Sequence, residues 1–312
     1  MSLPRLTLAA YREGILAADR VTLARAITLI ESELPADQTL AQQLLEAILP
    51  LTGRSLRLGI TGVPGAGKST LIEALSAHID GTIAVLSVDP SSPASGGSIL
   101  GDKTRMESLA LNPRAFVRPS PARGHLGGVA RRTRETILLC EAAGFQTIIV
   151  ETVGVGQSET AVHGMVDCFL LLLLPGAGDE LQGIKRGILE LTDIIAINKA
   201  DGDNLQKAAD ARQAYSSALH LFAAIAPPVL ICSATAKAGL PALWQTIQTI
   251  ANPARRSAQA LAWMNETIQN SLFASFESQP HVQPLRRTLE AAVRHGDITP
   301  LQAAHQLLHA KP

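Results

Sequence analysis

Glycines spaced ahead of a lysine and a hydroxyl residue are what a chain needs to hold a phosphate tail. Residues Gly62, Val63, Pro64, Gly65, Ala66, Gly67, Lys68 and Ser69 run in that order, G-x-x-x-x-G-K-S. The glycines let consecutive backbone N–H groups converge on phosphate oxygens, and the helix expected behind them adds its N-terminal dipole. Lys68 would neutralise the β and γ phosphates and Ser69 would offer a hydroxyl to magnesium, with Thr70 beside them among the nucleotide contacts. The pattern specifies a nucleoside triphosphate. It does not name the base.

The base is indicated further along. Asn198, Lys199, Ala200 and Asp201 follow an apolar run. A carboxylate there can accept both N1–H and N2–H2 of guanine, a donor pair that adenine lacks. Ser233 and Ala234 follow the next run, where a backbone N–H could meet the guanine O6. Together they point to GTP and GDP as substrate and product.

Acidic residues complete the set. Glu151, Thr152, Val153 and Gly154 end another apolar run, the place where P-loop enzymes keep the acid that handles magnesium and a glycine whose N–H meets the γ-phosphate. Asp89 ends a run in Val88-Asp89-Pro90-Ser91-Ser92, and Asp102 follows Gly101. Residues 91–101 between them are rich in Ser, Pro and Gly and read as a loop able to change conformation. Asp89 reads as a second-sphere magnesium ligand and Asp102 as a switch residue, and with Ser69 and Glu151 they make up the candidate metal set. Lys68, Asp102 and Glu151 are the candidate catalytic groups. Where many regulatory GTPases carry a water-positioning Gln after the glycine, this chain has Val155, and Gln157 is displaced from that position. Slow intrinsic hydrolysis is expected, with the missing group supplied by a mobile segment or a partner.

These residues need a scaffold, and the apolar pattern describes one. Short runs at 58–61, 83–88, 147–150, 168–174, 194–197 and 229–232 alternate with helical patterns such as 68–78, 129–143 and 205–221. Such alternation predicts right-handed βαβ units, hence an α/β fold with a mostly parallel sheet flanked by helices, with ligands beyond the carboxyl ends of the strands. Each motif sits at such an end. Residues 1–52 read as a helical extension, with stripes at Leu23, Ala26, Ile27, Ile30 and at Leu40, Leu44, Leu45, Ile48, broken around Pro35. Residues 53–253 form the nucleotide-binding domain. Residues 254–312 read as helices, with the stripe Leu261, Asn265, Ile268, Leu272, Phe276 and a last helix starting at Thr299-Pro300.

Composition narrows the class. Hydrophobic residues make up 46% and 27 basic residues balance 27 acidic ones, which removes any global pull toward nucleic acid or an anionic membrane. No run approaches the ~20 apolar residues of a membrane helix. The chain shows neither a secretory signal nor a transit peptide, so a cytoplasmic protein is expected. Its three cysteines, far apart and in apolar settings, read as buried hydrophobes.

With these residues in place the chain resembles the GTPase chaperones of adenosylcobalamin-dependent methylmalonyl-CoA mutase, in the metal- and cobalamin-handling branch of P-loop GTPases. The resemblance rests on the phosphate loop, on residues 88–92, 101–106 and 151–159, on the Pro-Gly-Ala-Gly-Asp-Glu-Leu-Gln-Gly-Ile-Lys run at 175–185, and on 198–201. It implies a homodimer that couples GTP hydrolysis to cofactor loading and protection of the mutase. It also implies an extra switch at 175–185, with Asp179, Gln182 and Lys185 as its polar members and Lys185 acting in catalysis, and a C-terminal dimer arm. A metal-insertion GTPase of the same branch is the nearest rival. It would need a delivery site, and His305 and His309, spaced i, i+4, read more simply as a solvated helix face. A small-molecule P-loop kinase and a module that binds GTP without hydrolysing it are further alternatives.

Overall fold

A computed structural model of the 312-residue chain describes residues 5–88, 106–119, 126–152, 158–176, 186–222 and 226–310. Three helices come first, the first two with side-chain caps. The Thr7 hydroxyl accepts from the Ala10 N–H at the start of α1 (Leu8–Leu16), and the Asp19 carboxylate accepts from Thr22 N–H at the start of α2 (Arg20–Glu31). Pro35 occupies the first turn of α3 (Pro35–Ile48), which explains the sequence break there. The stripes expected from periodicity are the buried ones: Leu23, Ala26, Ile27 and Ile30 on α2, Leu44 and Ile48 on α3.

Strands and helices then alternate through β1 (Leu56–Gly62), α4 (Lys68–Ser76), β2 (Ile83–Val88), α5 (Glu107–Leu111), β3 (Ala115–Pro119), α6 (Leu126–Ala142) and β4 (Thr147–Thr152). They continue through α7 (Ser158–His163), β5 (Cys168–Leu173), α8 (Arg186–Leu191), β6 (Ile194–Ile197), α9 (Asn204–Phe222), β7 (Val229–Ile231) and α10 (Leu240–Ile250). The seven strands form one sheet in the order β3-β2-β4-β1-β5-β6-β7, and every pairing is parallel. The edge strand β3 is absent from the sequence expectation, because its five residues include Arg118 and Pro119 and lack a long apolar run. The other six strands lie where the apolar runs put them.

Topology selects the ligand site. Consecutive strands β4 and β5 flank β1 on opposite sides, so the chain crosses over β1, and a crevice opens beyond its carboxyl end. Side-chain parity assigns the two faces. Ala84, Leu86, Val88, Ile148 and Val150 join α1, α2, α3 and α6 in one core, while Ile60, Ile83, Val85 and Ile149 face α4 and α10 in a second. A third cluster packs β5 and β6 against α8 and α9 through Leu171, Ile195, Ile197 and Tyr215. The first helices therefore share a core with the sheet. Arg57 at the start of β1 makes a two-pronged ion pair with buried Glu141 of α6, at 2.8 Å for each contact, which fixes the sheet against that layer.

Cys140, Cys168 and Cys232 are buried and form no disulfide, in keeping with the sequence reading. Burial pushes the Cys232 thiol up to about 12 and the Cys140 thiol upward as well, so both are neutral thiols at physiological pH. Among the described residues no helix is long and apolar enough to cross a membrane.

Residues 255–312 form a second compact unit of three helices, α11 (Arg255–Glu277), α12 (Val282–His295) and α13 (Pro300–Leu308). The Thr299 hydroxyl accepts from Gln302 N–H while the Gln302 side chain accepts from Thr299 N–H, so α13 begins on the cap and proline seen in the sequence. Of the stripe expected on α11, Leu261, Asn265, Ile268 and Leu272 are exposed and Phe276 is half-buried; Met264 beside them is exposed too.

Candidate functional site

The phosphate loop links β1 to α4. Gly62 closes the strand, and a Cβ there would lie 2.3 Å from the Leu172 carbonyl oxygen, so no side chain fits. Gly67 adopts φ +88° just ahead of α4, a left-handed conformation that glycine takes without strain. Between them Val63 is half-buried, Pro64 and Gly65 form an exposed crest, and Ala66 is buried under it. The loop is braced internally by an Ala66 N–H donating to the Val63 carbonyl. Lys68 is buried, and its Nζ donates to the carbonyls of Gly62 at 2.8 Å and Val63 at 3.3 Å. An ammonium is thereby held at the mouth of a loop whose N–H groups and helix dipole favour anions. Thr70 lies exposed in the first turn.

Ser69, one residue on, reaches the end of β4. Its hydroxyl donates to Glu151 Oε1 at 3.1 Å. Glu151 is buried, and in register it stands between Ile60 of β1 and Ser87 of β2. Residues paired in parallel register point to the same side of a sheet, so Glu151 and Ser87 share the α4 side. The Ser87 hydroxyl is 3% exposed and has no hydrogen-bond partner among the described residues. Leaving a buried hydroxyl unpaired costs about 1–3 kcal/mol. A hydroxyl, a carboxylate and an orphaned hydroxyl around one strand end suit a hydrated hard cation such as magnesium, which takes oxygen ligands and retains waters. On the opposite face, the buried hydroxyl of Thr152 donates to Thr61 Oγ1 at 2.9 Å, joining the strand ahead of the phosphate loop to the strand that carries Glu151. Sequence reasoning passed over both Ser87 and this threonine pair. The signal available was a polar residue inside each apolar run.

The third corner lies at the ends of β6 and β7. Asn198 is buried and bridges two segments of the scaffold: Nδ2 donates to the Ala66 carbonyl at 2.8 Å, and Oδ1 accepts from the Ala234 N–H at 3.0 Å. It therefore ties the phosphate loop to the segment after β7. Lys199 adopts φ +58° and is exposed, which turns the chain so that Ala200 is buried and Asp201 emerges half-buried. The Ser233 hydroxyl donates to Asp201 Oδ2 at 2.6 Å and accepts from the Ala236 N–H. One carboxylate oxygen is thus fixed by the protein, orienting Asp201 toward donors on a ligand.

Replacing Asn198 with alanine should leave Ala66 and Ala234 without their partner. We expect a loss of about 2–3 kcal/mol in stability together with weaker GTP binding. Asn198→Asp should be as damaging, because it keeps the acceptor and loses the donor to Ala66. Thermal melting and nucleotide titration of both variants check this; a variant that melts normally and binds GTP normally would refute it.

The structure thus brings together Gly62, Val63, Pro64, Gly65, Ala66, Gly67, Lys68, Ser69, Thr70, Glu151, Asn198, Lys199, Asp201, Ser233 and Ala234 around the carboxyl ends of β1, β4, β6 and β7. Asp89, Asp102, Gly154, Asp179, Gln182 and Lys185 lie outside the described residues. Among the described residues no group of three or more His, Cys, Asp and Glu side chains forms a metal cluster, and the His305 and His309 rings on α13 lie with centroids 4.3 Å apart, tilted by 51°.

Comparisons with known proteins agree with this geometry. The family model described as methylmalonyl Co-A mutase-associated GTPase MeaB matches residues 23–281. GTPase ArgK of Escherichia coli K12 is 48% identical over 320 residues, covering 96% of each chain. The mouse mitochondrial methylmalonic aciduria type A homolog is 42% identical, covering 95% of this chain and 78% of its own. The crystal structure of a LAO/AO transport system kinase superposes with a TM-score of 0.76 at 38% identity, covering 98% of both chains. The chain belongs to the methylmalonyl-CoA mutase-associated GTPases, and it hydrolyses GTP.

Proposed function

We propose that this GTPase is a magnesium-dependent chaperone of an adenosylcobalamin-dependent methylmalonyl-CoA mutase, coupling GTP hydrolysis to cofactor loading and to protection of the mutase. The observation that carries the reading is the joint one: a family match over residues 23–281, with the phosphate loop, the Ser69–Glu151 pair and the Ser233–Asp201 pair within that span.

In this reading the backbone of residues 62–70 cradles the α and β phosphates, and Lys68 offsets charge that develops on the β–γ bridging oxygen. Asn198 and Lys199 hold the base pocket, Asp201 reads guanine, and the Ser233–Ala234 segment meets O6. Ser69 and Glu151, with Asp89 and Asp102, hold the cation, whose charge when bound neutralises the β and γ phosphate oxygens. A water attacks the γ-phosphorus in line; the bond to the β-phosphate oxygen breaks and inorganic phosphate leaves with the added hydroxyl. The Gly154 N–H meets the γ-phosphate. With Val155 at the position that often holds a water-positioning glutamine, the isolated protein turns over slowly. The segment containing Asp179, Gln182 and Lys185 is the switch through which the mutase raises the rate, Lys185 bringing a second positive charge.

Residues 1–52 and 53–253 serve as a helical extension and the GTPase domain, and 254–312 as the arm through which two copies pair. Support for the arm comes from α11, a 23-residue helix without a buried residue whose exposed Leu261, Met264, Ile268 and Leu272 recur at helical spacing.

The test is GTP turnover with magnesium, alone and with the mutase from the same source. We expect a slow basal rate that rises at least about tenfold with the mutase, within the range other GTPase activators achieve. A rate indifferent to the mutase would remove the chaperone role and leave the GTPase.

A further inference from the structure

Strand β2 reads Ile83, Ala84, Val85, Leu86, Ser87, Val88, and all six residues are buried. Five fill the two cores. Ser87 does not belong to either by chemistry: parity places it with Ile83 and Val85 on the α4 side, and it ends that row one strand away from Glu151. Adjacent strands run about 4.8 Å apart, so a serine hydroxyl and a glutamate carboxylate on the same side are within reach of one hydrogen bond or one bridging water. The hydroxyl is 3% exposed and unpartnered among the described residues, although Glu151 stands in the next strand with Oε1 turned to Ser69. Two residues beyond Ser87 lies Asp89, proposed above as a cation ligand.

We propose that Ser87 is a positioning residue of the cation site: its hydroxyl donates to the Glu151 carboxylate and accepts from a water of the bound magnesium. The inference rests on the magnesium reading above and extends it to a residue outside the phosphate-loop, acid and base motifs. The chemistry favours it because Glu151, whose Oε1 accepts from the Ser69 hydroxyl, would lose that bond when the hydroxyl binds the cation. A second donor beside it would hold the carboxylate in place once the Ser69 hydroxyl turns to the metal. Ser87 offers that donor from the neighbouring strand. A hydroxyl without a partner among the described residues then becomes a satisfied one in the loaded site, which adds to cation affinity.

The variants are Ser87→Ala and Ser87→Thr, each in the full chain, with two readouts. Melting without nucleotide or magnesium reads the fold alone: Ser87→Ala should melt at or above the wild-type temperature, since it removes an unpaired buried hydroxyl. Magnesium titration of the GDP-bound protein, followed by melting shift, should show half-saturation raised about tenfold, in line with losing an outer-shell partner of a metal site. Ser87→Thr, which keeps the hydroxyl, should restore much of the lost affinity. An unchanged magnesium half-saturation in Ser87→Ala overturns the proposal. So does a lower melting temperature without nucleotide, which would mean the hydroxyl already serves the fold. Wild-type turnover that ignores magnesium would instead remove the magnesium reading itself, so the two failures are separable.

Discussion

An Asp201→Asn protein is expected to lose kcat/KM for GTP by about 10²–10³-fold and to gain activity toward xanthosine triphosphate until that becomes the better substrate. Guanine presents N1–H and N2–H2, and a carboxylate accepts both. Asparagine keeps one acceptor and places an NH2 where the second acceptor was. Opposite the guanine amino group, that arrangement is donor against donor. Opposite the xanthine C2 carbonyl it is a hydrogen bond. The structure lets the substitution read the base rather than the fold. The Ser233 hydroxyl holds Asp201 through Oδ2 at 2.6 Å, and the asparagine carbonyl can accept that same bond while its NH2 faces the ligand. Asp201 is only half-buried, so the exchange removes a negative charge from a partly solvated place and should barely move the melting temperature. Steady-state kinetics with both nucleotides decide it. If GTP remains the preferred substrate, Asp201 is not the base-reading group and the pocket between β6 and β7 needs another occupant.

How far the sequence foretold this arrangement differs from residue to residue. Six strands announced themselves because a strand buried on both faces of a parallel sheet reads as an unbroken apolar run, as in residues 168–173, and β3, with Arg118 and Pro119, does not. The phosphate loop was legible because its backbone demands glycine where a Cβ would strike Leu172 or force a left-handed residue. What the sequence could not convey was long-range pairing. Asn198 and Ala66 are 132 residues apart, and only the fold shows that the asparagine ties the loop to the Ala234 N–H. Likewise the helical stripes of α2 and α3 were plain, while their merging with one face of the sheet depends on tertiary packing that periodicity does not encode. Ser87 stands between these cases. Its polarity within an aliphatic strand was visible, and its meaning required the register with Glu151.

Lys68→Met should lower kcat about 10²–10³-fold, the usual cost of removing one preorganised donor from developing charge, equivalent to about 3–4 kcal/mol of barrier. Methionine keeps most of the side-chain length and volume, so the packing of α4 is largely preserved. The ammonium is buried, held at 2.8 Å by the Gly62 carbonyl and at 3.3 Å by that of Val63. A buried charge carries a large desolvation cost, and a well-packed apolar replacement is often neutral or stabilising. Against that, two carbonyls lose a donor, although both lie in a loop whose crest is exposed and can be reached by water. The two effects oppose each other, and the nucleotide-free melting temperature should shift by no more than a few degrees. Nucleotide binding should weaken less than turnover, because the loop N–H groups and the α4 dipole remain. Lys68→Arg should not rescue, since a planar guanidinium is too broad for the space between the two carbonyls. Single-turnover hydrolysis, nucleotide affinity and melting, measured on the same preparations, separate the possibilities. Turnover within about tenfold of wild type would remove Lys68 from the catalytic set, whereas a collapse of the melting temperature would make it a structural lysine that fastens the loop to its own carbonyls.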